Sequence, residues 1–372
     1  MRIEAIELRG FRNLADVELE LDPSLTVLHG PNGAGKTNVL EALYFGLTGR
    51  SCRTRAERET IRFGEPLSRV EVRVAEAGER RTFLSAVERG GQKRHLLDGS
   101  PVSLESAAKR PAIALFMPDR LALVKGPPAA RRAHLDRLVP ALWPARATIR
   151  SRFGRALAQR NALLGRIRGG SASPASLDAW DHELAAAGHE LMTARSEAID
   201  ALAPSFRDAA GRLGLPGEAE LAYRPRSDAG DEAELAAELR ERREADLDRG
   251  FTTHGPQYDE IRIGLGGRAV RRYGSQGQQR TALLALLFAE RELLLAHRGS
   301  APLMLLDDVM SELDPERREL LTETVLGAGQ ALITATDPGQ LPEGPRRELS
   351  VLGGRIELVA GVDSADGAEA AA

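Results

Sequence analysis

The sequence predicts an α/β fold that carries an inserted, mainly helical lobe, and three observations support this prediction. Apolar and charged residues alternate in several parts of the first hundred residues, which is typical of half-buried strands. The apolar run Leu25–His29 is followed by a glycine-rich segment and then by apolar residues at helical spacing. Between residues 129 and 247 the chain is rich in Ala, Leu, Arg and Glu and lacks β-branched runs, which favours helices.

The spacing of apolar residues and glycines predicts the order of elements in the N-terminal part. Period-two alternation predicts strands, and a 3.6-residue period predicts helices. The predicted elements are a strand at 17–21, a buried strand at Leu25–His29, a helix with Val39, Leu40, Leu43 and Leu47 on one face, a strand at 70–74, a turn at Gly78, a strand at 82–87 and a hairpin turn at Gly90-Gly91.

Changes in composition predict four segments along the chain. These are an N-terminal α/β part at 1–128, a helical lobe at 129–247, a C-terminal α/β part at 248–360 and a tail at 361–372. The tail is small, polar and alanine-rich, and we expect it to be disordered.

Composition excludes several classes of protein. The 372 residues carry a net charge of −3 and only 4% aromatic residues, which argues against a globally basic DNA-coating protein and a platform of stacked aromatic residues. The single cysteine, Cys52, cannot form an internal disulfide or a multi-cysteine zinc site. The N-terminal sequence has no signal-peptide core, and the apolar run Ala282–Ala289 is far shorter than the ~20 residues that span a bilayer. We therefore expect a cytoplasmic protein.

The motif with the most specific chemistry fits the pattern G-x-x-x-x-G-K-[ST] in full. It comprises Gly30, Pro31, Asn32, Gly33, Ala34, Gly35, Lys36 and Thr37. Such glycines let backbone N–H groups point at phosphate oxygens, and the following helix adds its positive end. Lys36 would lie at the β- and γ-phosphates, and the Thr37 hydroxyl would ligate Mg²⁺. Only 4 of the 51 basic residues are lysine, so a lysine at this position favours the phosphate site over a plain glycine turn.

Two carboxylates follow a second predicted strand. The apolar residues 303–306 end in Asp307 and Asp308, and ligands of open parallel sheets lie beyond the carboxyl ends of the strands. We expect Asp307 to complete the Mg²⁺ site of Thr37, and Asp308 to orient the attacking water or accept its proton. The alternative is that the two aspartates cap a helix, although Asp314, which precedes Pro315, is the better cap candidate.

A serine-glycine turn precedes the apolar helix predicted at Thr281–Ala289. Ser275 and the N–H groups around Gly277 would form a second anion site at a helix N-terminus. Because the loop at Gly30 already binds the phosphates of its own nucleotide, this second site would contact a nucleotide held by another copy of the chain in a two-fold dimer. A plain helix cap is the other interpretation of the same turn.

Together these motifs resemble the head domains of ABC-type P-loop ATPases, and more closely those of the RecF family. The residues that carry the resemblance are Leu8-Arg9-Gly10-Phe11-Arg12-Asn13, Gly30–Asn38 with Leu40-Glu41-Ala42, Ser275-Gln276-Gly277-Gln278, and Leu306-Asp307-Asp308 through Ser311 to Asp314. The resemblance implies an ABC-type head with a mixed sheet. It also implies that Arg12, Asn32 and Asn38 lie at the nucleotide and that Ser275, Gly277, Gln278, Ser311 and Asp314 lie at the dimer seam.

The resemblance further implies a weak ATPase of recombinational repair and replication restart. Such a protein would use ATP and Mg²⁺, close as a homodimer on double-stranded or gapped DNA, and assist recombinase loading with RecO and RecR. Two alternatives remain, a transport ATPase subunit and an ATP-assembled DNA scaffold with negligible hydrolysis. The 238 residues from Thr37 to Ser275, and the absence of a switch histidine near Ile333–Asp337, argue against the transport subunit.

The sequence also departs from the family pattern. Gln257-Tyr258 replaces a His-Arg pair, and Asp308 stands where many ABC-type ATPases have glutamate, which is consistent with slow hydrolysis.

Clusters of arginine are the candidate DNA contacts. Three clusters are present: Arg50, Arg53, Arg55 and Arg58; Arg146, Arg150, Arg152, Arg155 and Arg160 along one predicted helix; and Arg268, Arg271 and Arg272 just before the serine-glycine turn. Arginine-rich helix faces are also often only solvated or paired with nearby carboxylates, so the sequence leaves both interpretations open.

Overall fold

The computed structural model describes residues 2–54, 56–76, 78–102, 112–117, 121–327, 329–337, 339 and 346–359. The strands are β1 (Arg2–Arg9), β2 (Val17–Glu20), β3 (Leu25–His29), β4 (Leu67–Glu76), β5 (Glu79–Glu88), β6 (Lys93–Leu97), β7 (Ser100–Pro101), β8 (Ile113–Phe116), β9 (Ala219–Arg224), β10 (Glu260–Leu265), β11 (Arg268–Ala269), β12 (Leu303–Asp307), β13 (Ala331–Ala335), β14 (Arg347–Leu352) and β15 (Arg355–Leu358). The α-helices are α1 (Lys36–Thr48), α2 (Ala122–Lys125), α3 (Pro128–Leu142), α4 (Ile149–Arg168), α5 (Leu177–Arg212), α6 (Glu232–Glu241), α7 (Arg243–Arg249), α8 (Val270–Tyr273), α9 (Gln276–Arg298) and α10 (Pro315–Gly327).

The chain forms two compact units. The first comprises Met1–Arg120 and Glu290–Ala372, and the second comprises Leu121–Ala289. The helical lobe predicted at 129–247 lies within the second unit, which also contains β10, β11, α8 and most of α9. The tail at 361–372 lies outside the described residues.

An antiparallel sheet forms one layer of the first unit. Its strand order is β2-β1-β4-β5-β6-β7. Val70, Val72 and Val74 are buried on one face of β4, as their alternation with charged residues predicts. The predicted strands at 17–21, 70–74 and 82–87 are confirmed as β2, β4 and β5, and the Gly90-Gly91 turn is confirmed between β5 and β6.

A second sheet of the first unit has the order β15-β14-β3-β13-β12-β8. Its strand pairs are parallel except for the edge strand β15, so the predicted mixed sheet is confirmed. The side chains of β12 and β13 are buried throughout, as expected for inner strands of a parallel sheet. Since β3, β13 and β12 run in the same direction, their carboxyl ends meet at one edge.

Helix α1 connects the two sheets, because it contacts β4 and β5 on one side and β12 and β13 on the other. Gly46 permits this close approach. A Cβ atom at this position would lie 2.5 Å from Val72 Cγ2 and 2.8 Å from Val70 Cγ1, within the van der Waals radii of both carbons. The packing of α1 fixes the loop that precedes it against the end of the parallel sheet.

The second unit combines helices with a small antiparallel sheet of order β11-β10-β9. Strand β9 was not predicted from the sequence, because its alternation of Ala219, Leu221 and Tyr223 is short and contains alanine, a weak strand former. Strand β9 pairs with β10 along its whole length. This pairing explains why the compact unit extends beyond residue 247.

Arg160 and Arg195 are the most deeply buried arginines among the described residues of this second unit. Arg160 is completely buried and donates to Asp181 at 2.7 Å and to Asp246 at 2.7 Å. Arg195 donates to Asp136 at 2.8 Å and to Asp259 at 2.9 Å. Arg160 therefore links α4, α5 and α7 from within, and its assignment to an arginine cluster on the helix surface was wrong. The apolar residues on either side of it, Ala156 and Leu163 among them, are buried in the same way.

We expect Arg160→Met to lower the free energy of unfolding by about 3–5 kcal/mol, because it leaves Asp246 buried without its cation. Urea unfolding followed by circular dichroism measures this change. Arg166→Met, on the exposed side of the same helix, is the matched control and should change stability by less than about 0.5 kcal/mol. Equal effects of the two substitutions would show that the buried ion pairs do not hold these helices together.

Candidate functional site

The glycine-rich loop between β3 and α1 has a backbone conformation that needs glycine. Gly30, Gly33 and Gly35 have φ angles of 149°, 78° and 119°. A Cβ atom at Gly30 would also lie 2.1 Å from the Val351 carbonyl oxygen, which excludes any larger residue. Helix α1 begins directly after the loop, so its first N–H groups and its positive end face the loop. The segment therefore has the local structure of a phosphate-binding loop.

The Lys36 side chain folds back over this loop. Its Nζ atom donates to the carbonyl oxygens of Gly30 at 2.7 Å and Pro31 at 3.1 Å. Burial lowers the pKa of Lys36, whereas the nearby Asp308 and Asp307 carboxylates act to raise it. A phosphate oxygen is a stronger acceptor than a carbonyl, so this ammonium group is well placed to bind a polyphosphate.

Hydrogen bonds link Thr37, in the first turn of α1, to Asp307 and Thr334 near the ends of β12 and β13. Thr37 Oγ1 lies 2.9 Å from both carboxylate oxygens of Asp307 at the end of β12. Thr334 Oγ1, on β13, donates to Asp307 Oδ1 at 2.7 Å. Burial raises the pKa of Asp307, while these two hydroxyl bonds act to lower it. Thr334 was not predicted as a site residue, because an apolar run with one threonine indicates only a strand.

The Thr37 and Asp307 oxygens fit a pair of Mg²⁺ ligands. Neighbouring ligands of an octahedral Mg²⁺ ion with bonds of about 2.0–2.1 Å lie about 2.9 Å apart. In the described part of the chain, no group of three or more His, Cys, Asp or Glu residues could hold a metal ion. Two protein oxygens, with phosphate and water oxygens as the others, are the usual set for a nucleotide-bound Mg²⁺ ion.

Asp308 has an unusual backbone conformation and a carboxylate oxygen without a hydrogen-bond partner among the described residues. Its φ angle is 49°, in the left-handed region that aspartate tolerates better than most residues. The Asp308 N–H donates to Thr334 Oγ1 at 2.9 Å. Its Oδ1 atom is buried and has no hydrogen-bond partner among the residues that the structure describes. Such an acceptor, next to Asp307 and Lys36, suits a group that orients water.

Arg12 lies beside the start of α1 but is bound by a buried carboxylate. It donates to Glu41 from Nε at 3.0 Å and from Nη2 at 2.7 Å, and Glu41 is completely buried. Glu41 also accepts from Ser51 at 2.6 Å and from Arg53 at 3.4 Å. Glu41 thus fixes Arg12 next to the loop. Its place in the matched motif was noted from the sequence, but its role was not.

The remaining predicted loop side chains make polar contacts around the site. Asn32 Oδ1 accepts from Thr336 at 3.2 Å. Asn38 donates to Asn13 at 2.7 Å and accepts from Arg53 at 2.8 Å. Ala34 is buried, whereas Pro31 is exposed. The structure therefore brings Arg53, which the sequence analysis grouped with DNA contacts, to the phosphate-loop helix.

The serine-glycine turn at Ser275 is a capping box at the start of α9. Ser275 Oγ accepts from the Gln278 N–H at 3.2 Å, and Gln278 Oε1 accepts from the Ser275 N–H at 2.9 Å. The helix-cap interpretation is thus confirmed. Ser275 and Gly277 are nevertheless exposed and Gln278 is half-buried, so the turn remains accessible to an anion from outside the chain.

Asp314 is also a helix cap, as predicted. Its Oδ1 atom accepts from the Arg317 N–H at 3.0 Å at the start of α10, and its Oδ2 atom pairs with the Arg317 side chain at 2.7 Å. Ser311 Oγ donates to the Asp308 carbonyl oxygen at 2.8 Å. Ser311 therefore supports the segment that follows Asp308.

The arginines of the second predicted DNA cluster differ in their pairing. Arg150 donates to Asp136 at 3.0 Å, and Arg152 donates to Glu190 at 2.7 Å. Arg155 is exposed and forms no ion pair with another described residue. Arg55 lies outside the described residues. Arg150, Arg152 and Arg155 therefore keep charge at the surface of α4, partly offset by acidic neighbours.

The departure at Gln257-Tyr258 lies in a loop of the second unit that contains a 3-10 turn at Pro256–Tyr258. Gln257 Nε2 donates to the His254 carbonyl oxygen at 2.9 Å, and the Tyr258 hydroxyl donates to the Thr252 carbonyl oxygen at 3.3 Å. The next residue, Asp259, is buried against Arg195 at 2.9 Å. In this chain the two substituted side chains thus stabilise the loop itself.

Comparison with known proteins agrees with this geometry. The family model described as RecF/RecN/SMC N terminal domain matches residues 2–351. A DNA replication and repair protein RecF from Myxococcus xanthus is 39% identical, covering 96% of this chain and 97% of its own. The RecF protein of Anaeromyxobacter sp. strain Fw109-5 is 42% identical, covering 91% of this chain and 93% of its own.

Solved structures show the same fold. The structure of the recombination mediator protein RecF-ATP in the RecFOR pathway has a TM-score of 0.88 and 25% identity, over 96% of this chain and 98% of that one. An Smc head bound to a domain of ScpA shares the fold at a TM-score of 0.59. Among the described helices, none is long and apolar enough to cross a membrane. The chain belongs to the RecF family of DNA replication and repair proteins, with the ABC-type ATPase fold of the RecF/RecN/SMC group.

Proposed function

We propose that this chain is an ATP-dependent DNA-binding protein of recombinational repair and replication restart. The observation that carries the proposal is the 2.9 Å contact between Thr37 and Asp307, beside Lys36 and a glycine loop shaped for phosphate. The solved relative that was determined with ATP supports ATP as the nucleotide. The names of the similar proteins support a role in DNA replication and repair.

In this proposal, residues of the first unit have separate roles in ATP hydrolysis. Lys36 binds the β- and γ-phosphates and stabilises negative charge that develops during transfer. Thr37 and Asp307 would hold Mg²⁺, which supplies a further positive charge at the same phosphates. Asp308 orients the attacking water through its unpaired Oδ1 and accepts the proton. Aspartate reaches less far than glutamate, so we expect hydrolysis to be slow.

A second copy of the chain completes the site in this proposal. Ser275 and the N–H groups around Gly277 contact the γ-phosphate of the ATP held by the first copy, and both of these residues are exposed. ATP therefore links two chains in a two-fold dimer, and hydrolysis releases them. Hydrolysis acts as a timer for opening rather than as a source of force.

DNA binding is assigned to the closed dimer. We propose that Arg150, Arg152 and Arg155 on α4 contact phosphates of double-stranded or gapped DNA. The solved relative is described as a protein of the RecFOR pathway, which supports the proposal that this chain cooperates with RecO and RecR in recombinase loading. A DNA scaffold that needs ATP for assembly but scarcely hydrolyses it differs from this proposal only in its turnover.

We expect Lys36→Met to weaken ATP binding by roughly tenfold to a hundredfold, because it removes a charge-assisted bond to phosphate. The variant should also fail to dimerise when ATP is added. Analytical ultracentrifugation with and without ATP measures dimerisation directly. Lys125→Met, an exposed lysine of α2, is the matched control and should dimerise normally. An ATP-induced dimer of Lys36→Met as strong as that of the unmodified chain would contradict the assigned site.

Charge reversal on α4 tests the DNA surface. We expect the triple variant Arg150→Glu, Arg152→Glu and Arg155→Glu to weaken duplex binding by at least roughly tenfold and to reduce its salt dependence, because phosphate contacts release counterions. ATP binding should stay unchanged. Arg166→Glu with Arg207→Glu changes exposed arginines elsewhere in the same unit and is the control. Unaltered filter binding of DNA by the triple variant would place the DNA surface elsewhere.

A further inference from the structure

A cavity of about 540 Å³ lies along one edge of β10 in the second unit, away from the residues assigned to the nucleotide. Four consecutive residues, Glu260 to Ile263, line it. Side chains of a strand alternate between two faces, so a cavity lined by successive residues runs along the edge of the strand rather than over one face. We refer to this cavity as the β10 groove.

One edge of β10 is largely open, and it is the edge on the side of β11, where Ala269 and the following Arg271 and Arg272 line the groove. Strand β10 pairs with β9 over Glu260–Leu265, but pairs with β11 only at Gly264 and Leu265. Within the described chain, therefore, the second edge of β10 has no strand partner from Glu260 to Ile263, a length of about 13 Å. The Ile261 N–H donates to the Glu260 side chain at 2.9 Å, an acceptor that a backbone carbonyl can replace. Such an edge can accept another strand.

The groove is strongly basic. Its lining contains one carboxylate, that of Glu260, and a larger set of arginines: Arg131, Arg224, Arg262, Arg271 and Arg272. Arg131 is buried and already pairs with Glu260 at 2.9 Å, while Arg224 and Arg262 lie 3.4 Å and 3.8 Å from Glu220. Arg271 and Arg272 are exposed and form no ion pair with any residue that the structure describes. The groove thus keeps an excess of positive charge.

The wall beneath these arginines is apolar. Val124, Ile261 and Ile263 are buried to 95% or more and contribute to the lining with Ala269. Nucleic acid offers phosphates, but it offers neither the backbone hydrogen bonds of a strand nor aliphatic side chains for this wall. An extended peptide with alternating acidic and aliphatic residues offers negative charge for the arginines, backbone hydrogen bonds for the strand edge and aliphatic side chains for the wall.

We propose that the β10 groove binds an extended, acidic segment of a partner protein by adding it as a strand beside β10. Its backbone pairs with the open edge at Glu260–Ile263. Its carboxylates contact Arg262, Arg271 and Arg272, and its aliphatic side chains pack on Val124. The site lies on the second unit and does not require bound nucleotide.

The test uses the full chain and a fluorescein-labelled decapeptide of alternating Asp and Val, followed by fluorescence anisotropy. We expect binding that weakens at least about tenfold in the double variant Arg262→Glu and Arg271→Glu, since like charges then face each other. The double variant Arg166→Glu and Arg207→Glu is the matched control and should bind as the unmodified chain does. A decapeptide of alternating Lys and Val should not bind.

A second arm keeps the protein unchanged, so it does not depend on how the variants fold. The Asp-Val decapeptide with N-methyl groups on alternate amides should lose binding by a similar factor, because it cannot pair with a strand. Equal binding of the methylated peptide would overturn the proposed strand addition. The proposal is also overturned if Arg262→Glu with Arg271→Glu weakens duplex DNA binding and leaves peptide binding unchanged. If deletion of residues 361–372 raises peptide affinity severalfold, the acidic tail of the chain itself occupies the groove, and the partner assignment fails.

Discussion

The contact of Thr37 with Asp307 is the interaction on which the nucleotide site depends. It joins the first turn of α1 to the carboxyl end of β12 across 270 residues of sequence. The parallel pairing of β3, β13 and β12 brings the three strand ends together, and the apolar side chains of α1 hold the helix against both sheets. Asp307 is buried, which raises its pKa, and the hydroxyls of Thr37 and Thr334 offset part of that cost. A site built in this way suits the cation and the polyphosphate that we propose it binds.

Much of this arrangement follows from local sequence patterns. The apolar run at Leu25–His29, the glycines after it and the helical spacing after Lys36 each depend on neighbouring residues, so they predicted β3, the loop and α1 correctly. The same holds for β12, whose continuous apolar run is typical of an inner parallel strand. The rule that ligands lie beyond the carboxyl ends of parallel strands then predicted that Asp307 would approach Thr37.

Features that depend on distant partners could not be predicted in the same way. Glu41 looks like a surface residue of a helix until Arg12, Ser51 and Arg53 are brought to it by the fold. Arg160 belongs by spacing to an arginine-rich helix face, but Asp181 and Asp246 come from other helices and bury it. The extent of the second unit likewise depends on the pairing of β9 with β10, which no local pattern revealed.

We propose that each reaction centre is shared by two copies of the chain. Mixing two inactive variants, Lys36→Met and Ser275→Arg, tests it most directly. In the mixed dimer, one centre combines the intact loop of the Ser275→Arg chain with the intact turn of the Lys36→Met chain. We expect each variant alone to lack ATP hydrolysis and the mixture to recover a substantial fraction of it. If the mixture stays as inactive as its components while mixed dimers form, the shared centre is contradicted.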